Sequence, residues 1–317
     1  MNMPLQLGVV GLGGIGRVHA ESIRNSGFGR LAAVADPSSA AREYCAKHGI
    51  PWFASHHDML AQSRLDGGII ASPNNTHFPI GLDFIAAGIP ILLENPLAST
   101  VEEAVELAVA SAKQGVAILV GCQRRHNPVV RYARALIGEG MLGRLTNISV
   151  LAAMYKPGDY FAQAWRKEAG GGPILIDLIH EIDLIRYICG EIEEVQALTS
   201  SAVREFAVED SAAVVARIAG GALVSISLSD SAQTPWSWDL ASGENASYPP
   251  QVQENPTHFF CGTGGALSMP NLECWDTGRC RAGLPRSIGA ACVSKPRIPI
   301  SNNCSISVRL FMVRKSR

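Results

Sequence analysis

The chain is notable first for what it lacks. There is no charge excess, since 27 Lys plus Arg stand against 28 Asp plus Glu in 317 residues, and nothing in the bulk draws it to nucleic acid or an anionic membrane. No apolar run approaches the roughly 20 residues of a membrane span. The opening MNMPLQLGVVGLGG has neither a basic n-region nor a cleavage site. The eight cysteines contain no CxxC pair and no regular framework, and Cys45, Cys122 and Cys189 sit among core-like neighbours, so no disulfide scaffold and no metal site is expected. The expectation is a cytoplasmic chain without leader or membrane span, acting on a small neutral molecule.

What is present suits two domains. Short apolar runs, LGVV (7–10), LAAVA (31–35), GGIIA (67–71), PILL (90–93) and AILV (117–120), alternate with helix-length amphipathic stretches. That order predicts right-handed crossovers and a doubly wound parallel sheet, an α/β fold. The first run enters GLGGIG, which supplies Gly11, Gly13 and Gly16 around Gly14 and Ile15, and then the helix-like RVHAESIRNS. Glycines there let the backbone turn tightly and approach a pyrophosphate at the helix N-terminus. Asp36, about 20 residues on and directly after the second run, is placed to accept the adenosine ribose hydroxyls. Its charge opposes a 2′-phosphate and Pro37, Ser38 and Ser39 offer no cation, so NAD is favoured over NADP; Arg42 lies one turn further on.

Four more motifs follow: SPNNTHFPI (72–80), ENP (94–96), GCQRRHNP (121–128) and GGGPILIDLIHEIDLIRYICG (170–190). Together and in this order they resemble the family of glucose-fructose oxidoreductase, inositol dehydrogenase and their relatives, over roughly residues 5–276. The resemblance implies an NAD-binding Rossmann domain over 1–124 and a substrate-binding, catalytic α+β domain with an open sheet over 125–276. It implies hydride transfer between NAD and a secondary hydroxyl of a sugar, cyclitol or related polyol, and pairing of copies through the outer sheet face. The period-2 segments TNISVLAAM and SAAVVARIAGGALVSISLS suit a mainly antiparallel sheet, and 128–138 reads as a helix.

By the same resemblance Ser72, Pro73, Asn74 and His77 border the nicotinamide and its ribose, with Glu94 at the same edge of the sheet. Thr76 reads as an N-cap. His180 matches the family's proton-accepting histidine, and Arg125 falls where relatives contact substrate. A helix over 174–189 would set Asp177, His180 and Asp183 in one polar stripe, with a carboxylate orienting the imidazole. Inositol-type relatives carry their catalytic Asp four residues before the His; Ile176 stands there and Asp177 is one residue off. Lys156, Tyr160, Trp165 and Arg166 lie on a Gly- and Pro-rich loop suited to stacking on, and donating to, a polyhydroxylated ring. Relatives carry Glu-Lys-Pro where this chain has Glu94-Asn95-Pro96, so the catalytic position of the lysine holds an amide, and impaired turnover is the alternative reading. A third is a hydro-lyase or glycosidase using NAD for transient oxidation.

After Trp275 the composition changes: residues 277–317 show no clear helix or strand period, and five of the eight cysteines lie beyond residue 260. Codons permitted for Pro299 to Val308, read two bases later, can spell Tyr-Gln-Gln-Gln-Leu-Gln-His-Phe-Cys, similar to the helix start of relatives. The expectation is a shifted frame shortly after residue 276, which the gene's actual codons decide.

Overall fold

A computed structural model describes residues 4–244 and 255–276; the tail, with the frame-shift expectation attached to it, lies outside the described residues. Two compact units divide the chain, one running to Gln123 and the other starting at Arg124.

The first unit holds strands β1 (Leu5–Val10), β2 (Gly29–Ala35), β3 (Trp52–Phe53), β4 (Gly67–Ile70), β5 (Ile91–Leu93) and β6 (Ile118–Val120), in the sheet order β3-β2-β1-β4-β5-β6. All five pairings are parallel. Helices α1 (Gly14–Ser26), α2 (Ser39–His48), α3 (His56–Gln62), α4 (His77–Ala86) and α5 (Val101–Gln114) connect them. Leu7, Val9, Ile69 and Leu92 pack one core with Ala20 and Ile23 of α1, while Val10, Ile70 and Leu93 pack another with Phe84 and Leu107. Apolar residues therefore serve both faces, which is why these strands read as unbroken hydrophobic runs. Ser38, Ser55 and Thr100 cap α2, α3 and α5, and Thr100 forms a full capping box with Glu103.

Thr76 does not cap α4. A 3₁₀ turn, Asn74–Thr76, leads straight into that helix, and Thr76 already has near-helical dihedrals (φ −102°, ψ −8°). Its hydroxyl turns back instead, 2.7 Å from both Ser72 Oγ and the Pro73 carbonyl oxygen.

The second unit contains α6 (Pro128–Gly138), β7 (Leu145–Ala153), α7 (Ile179–Cys189), β8 (Ile192–Ser200), β9 (Ser211–Ile218), β10 (Leu223–Ser229), α8 (Trp238–Ser242), β11 (His258–Gly262), β12 (Gly265–Met269) and β13 (Cys274–Asp276). Its sheet runs β13-β12-β11-β7-β10-β9-β8. Among the described strands of this second sheet only β7 and β10 pair in parallel. Ala212, Val214, Ala216 and Ile218 of β9 alternate inward with Val224, Ile226 and Leu228 of β10, under Val130 and Ala133 of α6 and Leu184 and Ile185 of α7. The opposite face is open: Val215 is 54% and Leu198 80% exposed.

Beneath α7 lies a buried charge chain. Arg124 Nη1 donates to Glu181 Oε1 (2.7 Å), His258 Nε2 meets Glu181 Oε2 (2.8 Å), and His258 Nδ1 is 2.9 Å from Thr257 Oγ1. Burial pushes the Glu181 carboxyl up, but Arg124 and His258 outweigh it and bring its pKa down to about 2 from 4.5. A depressed carboxyl stabilises the fold above its unfolded pKa and loses that contribution as pH falls through the folded one. Glu181→Gln removes the shorter of the two carboxylate contacts of buried Arg124 and leaves only Asp239 at 3.6 Å, so a loss of ~3 kcal/mol is expected. The check is thermal unfolding at neutral pH and again between pH 4.5 and 2, where the variant's acid dependence should flatten.

Candidate cofactor and catalytic sites

The carboxyl edge of the first sheet is assembled by hand-offs between strands. Gly11 N donates to Ala35 O, Ala71 N to Val10 O, Glu94 N to Ile70 O and Gly121 N to Leu93 O. The segments after β1, β4, β5 and β6 are thus aligned at one edge, where open α/β sheets bind ligands.

Two glycines of the GLGGIG turn are sterically required. Gly11 has φ +83°, and a Cβ there would lie 2.6 Å from Ala71 O; on Gly16 it would lie 1.9 Å from Gly11 O. Gly13 and Gly14 face open space within 4 Å, at the start of α1, which has no capping side chain and no acid in its first turn. Ile15 is 55% exposed beside them. An open cradle at a bare helix N-terminus fits a pyrophosphate.

Asp36 holds this turn in shape. Oδ2 accepts from Leu12 N (2.7 Å) and Oδ1 from Ser38 N (2.8 Å). Burial raises its carboxyl pKa, but the hydrogen bonds from Leu12 and Ser38 prevail and hold it below the usual carboxylate value. Each oxygen keeps a second lone pair for a ribose hydroxyl. Arg42 lies over the Trp52 ring, 5.4 Å from its centroid.

His77 is buried, with Nδ1 2.7 Å from Pro96 O and Nε2 2.9 Å from Ser72 O. Both ring nitrogens are therefore occupied by backbone, and the side chain ties the Ser72–Asn74 segment to the Glu94–Pro96 segment. Glu94 is held in turn: Oε1 lies 2.6 Å from His19 Nε2, and a Cβ on Gly121 would come within 2.7 Å of Oε2. Asn95 Nδ2 is buried without a hydrogen-bond partner.

In the second unit α7 is preceded by a π-helical turn, Ile174–Leu178, rather than being α-helical from 174. The glycine run before it makes room for two neighbours. A Cβ on Gly171 would lie 2.2 Å from Trp165 O, and one on Gly172 2.4 Å from Glu209 Oε1, the oxygen that accepts from Ile174 N.

The expected stripe of two carboxylates around His180 is divided between cations. Asp177 pairs with Lys156 Nζ, and Asp183 pairs with Arg125 through Nη2 and through Nε at 2.9 and 3.0 Å. Asp177 lies on the π-helical turn before α7 rather than on the α-helix itself, and its partner Lys156 is buried. His180 itself is half-buried. Burial opposes the Lys156 charge, but the Asp177 carboxylate dominates and holds the ammonium pKa above its ordinary value. Lys156 Nζ also sits 4.8 Å from the Tyr160 ring centroid, and Arg166 Cζ lies 3.7 Å from Tyr160 and 4.8 Å from Trp165. The four loop residues singled out from sequence thus form one cation–aromatic cluster.

Sequence reasoning missed His19, Arg124, Glu181 and His258. His19 carried a signal: it falls on the inward face of α1, in step with Gly16, Ala20 and Ile23.

Fold and cradle define a nucleotide-binding Rossmann protein with an appended sheet domain. The model of the oxidoreductase family with an NAD-binding Rossmann fold matches residues 5–122, and that of the GFO/IDH/MocA C-terminal domain matches 130–263. The chain belongs to the Gfo/Idh/MocA oxidoreductase family. It is 36% identical over 187 residues to the rhizopine catabolism protein MocA of Rhizobium meliloti, covering 59% of this chain and 57% of that one, so the match spans little more than half of that relative. It is 27% identical over 235 residues to an inositol 2-dehydrogenase of Corynebacterium glutamicum strain R, covering 72% and 68%. Among solved structures, the WlbA dehydrogenase of Bordetella pertussis, in complex with NADH and UDP-GlcNAcA, superposes with a TM-score of 0.74 at 25% identity, covering 84% of this chain and 74% of that one. No helix among the described residues is long and apolar enough to cross a membrane.

Proposed function

We propose that the protein is an NAD-dependent dehydrogenase acting on a secondary hydroxyl of a sugar, cyclitol or related polyol. The observation that carries this is the glycine cradle with Asp36 fixed by Leu12 and Ser38, in a family whose named members include inositol dehydrogenases. When bound, NAD supplies the hydride acceptor. Gly11 to Gly16 and Asp36 hold its pyrophosphate and adenosine ribose, while Ser72, Pro73, Asn74 and Glu94 line the nicotinamide side, kept in register by His77 and His19.

His180 takes the hydroxyl proton. The Lys156–Asp177 pair brings a fixed ammonium to the helix that carries His180, and Tyr160, Trp165 and Arg166 provide stacking and donor groups for a polyhydroxylated ring. Arg125 and Asp183 lock each other and steady α7 as well as bordering substrate. The test is NADH formation across a panel of inositols and aldoses. Binding of NAD without turnover on any of them sinks the dehydrogenase reading.

That outcome would favour a second reading, a dinucleotide-binding relative with impaired turnover, supported by Asn95. Its amide donates a hydrogen bond but carries no charge, and its Nδ2 is buried and unpartnered. Asn95→Lys is expected to raise kcat about tenfold, the difference of ~1–2 kcal/mol between a neutral and a charge-assisted hydrogen bond to a developing alkoxide. Steady-state kinetics on the best substrate of the panel checks this; no gain means that the amide is not what limits the rate.

The open face of the second sheet supports pairing of two copies. It carries a groove of ≈ 360 Å³ lined by Asn147, Gln196, Val215 and Leu223, on the same face as the exposed Leu198. Light scattering on Leu198→Glu against the parent reads the oligomeric state.

A further inference from the structure

Away from the cofactor cradle, His56, His57 and Asp83 bring three ligand atoms within 4.8 Å of one another, and the proposed reaction uses none of them. Ser55 caps α3 by accepting from Asp58 N at 3.2 Å, so both imidazoles leave the first turn of the helix. Their ring centroids are 4.0 Å apart. Asp83, from the neighbouring α4, sets Oδ2 2.8 Å from His56 Nε2 and 3.6 Å from His57 Nδ1. The nearest acid in sequence, Asp58, is engaged elsewhere, accepting from Ser55 Oγ at 2.7 Å.

We propose that His56, His57 and Asp83 bind a divalent transition-metal ion of the Zn²⁺ or Ni²⁺ kind, linking α3 to α4. Ligand atoms about 2.0–2.2 Å from a tetrahedral ion lie about 3.3–3.5 Å from each other. The 3.6 Å separation already suits that geometry. The 2.8 Å one is a hydrogen bond, which opens by roughly half an ångström when the ion replaces the shared proton. Two imidazoles with one carboxylate select borderline ions over Mg²⁺ or Ca²⁺, which require oxygen-rich shells. Three protein ligands leave a position for water, and the His57 side chain is 70% exposed, so the ion exchanges with solvent rather than being locked into the fold. Asp83 lies 27 residues after His56, outside any short ligand-spacing motif, which is why no metal site was legible in the sequence.

The test is titration of metal-stripped, full-length protein with ZnCl₂, followed by calorimetry and thermal unfolding. One ion per chain and a Tm raised by a few degrees are expected, since a ligand that binds only the folded state stabilises it. His57→Ala and Asp83→Asn should each weaken binding more than about tenfold, because losing a group that merely orients a ligand already costs roughly 10–100-fold, while melting like the parent without metal. His48→Ala should bind like the parent. The eight cysteines of the chain are the competing ligands, and Co²⁺ separates the two: imidazole and carboxylate give weak visible bands, thiolates intense near-ultraviolet ones. Unchanged binding in both variants, thiolate bands, or no saturable binding would each overturn the site.

Discussion

His180→Asn is expected to lower turnover by ~10²–10⁴-fold, the range contributed by a positioned proton acceptor, while leaving the affinity for NAD unchanged. The cofactor residues all lie in the first unit, whereas His180 sits on α7 of the second, so its loss removes chemistry without touching the cradle. Asparagine keeps a hydrogen-bonding group of similar reach but does not accept a proton near neutral pH. The fall should therefore be in kcat, with a smaller change in KM. Because the flanking carboxylates pair with Lys156 and Arg125, the helix keeps its ion pairs and the variant should melt like the parent. Steady-state kinetics and NAD binding by fluorescence quenching supply the two readouts. A kcat within about threefold of the parent would mean that His180 is not the base.

Asp36→Ala is expected to weaken NAD about 10–100-fold and to narrow or reverse the preference over NADP. The carboxylate has two tasks, and alanine removes both. It would leave Leu12 N and Ser38 N without their acceptor, loosening the turn between β1 and α1, and hydrogen bonds to charged groups are worth roughly 1.5–3 kcal/mol each way. It also removes the negative charge that repels a 2′-phosphate. Asp36→Asn separates these effects, because the amide oxygen still accepts one hydrogen bond: NAD binding should recover in part while NADP remains tolerated. Kd values for both cofactors decide it, and an unchanged NAD-to-NADP ratio in Asp36→Ala would show that the carboxylate does not select.

The strands of the first unit were legible because residues such as Val9 and Ile70 serve cores on both faces, and β9 and β10 because their apolar residues alternate against a single core. β3 was not, being two residues long at the sheet edge. At the site, the glycine turn and Asp36 form a local pattern with a fixed spacing and could be read. The pairing of Asp177 with Lys156 could not. It joins residues 21 apart across a loop and a π-helical turn, and nothing in the local pattern tells which neighbour takes the carboxylate. Arg124, Glu181 and His258 were missed for another reason. A charged residue in sequence reads as surface, and only a partner 57 or 77 positions away makes its burial tolerable.

His77 gives the first unit an element of bistability. A neutral imidazole carries one N–H, so it donates either to the Pro96 carbonyl or to the Ser72 carbonyl, and the other oxygen then faces a bare nitrogen. The two tautomers are two alternative fastenings of the segments beside Asn74 and Glu94. In the neutral ring the tautomer therefore records which of the two segments accepts the proton, and ¹⁵N spectroscopy reads it directly.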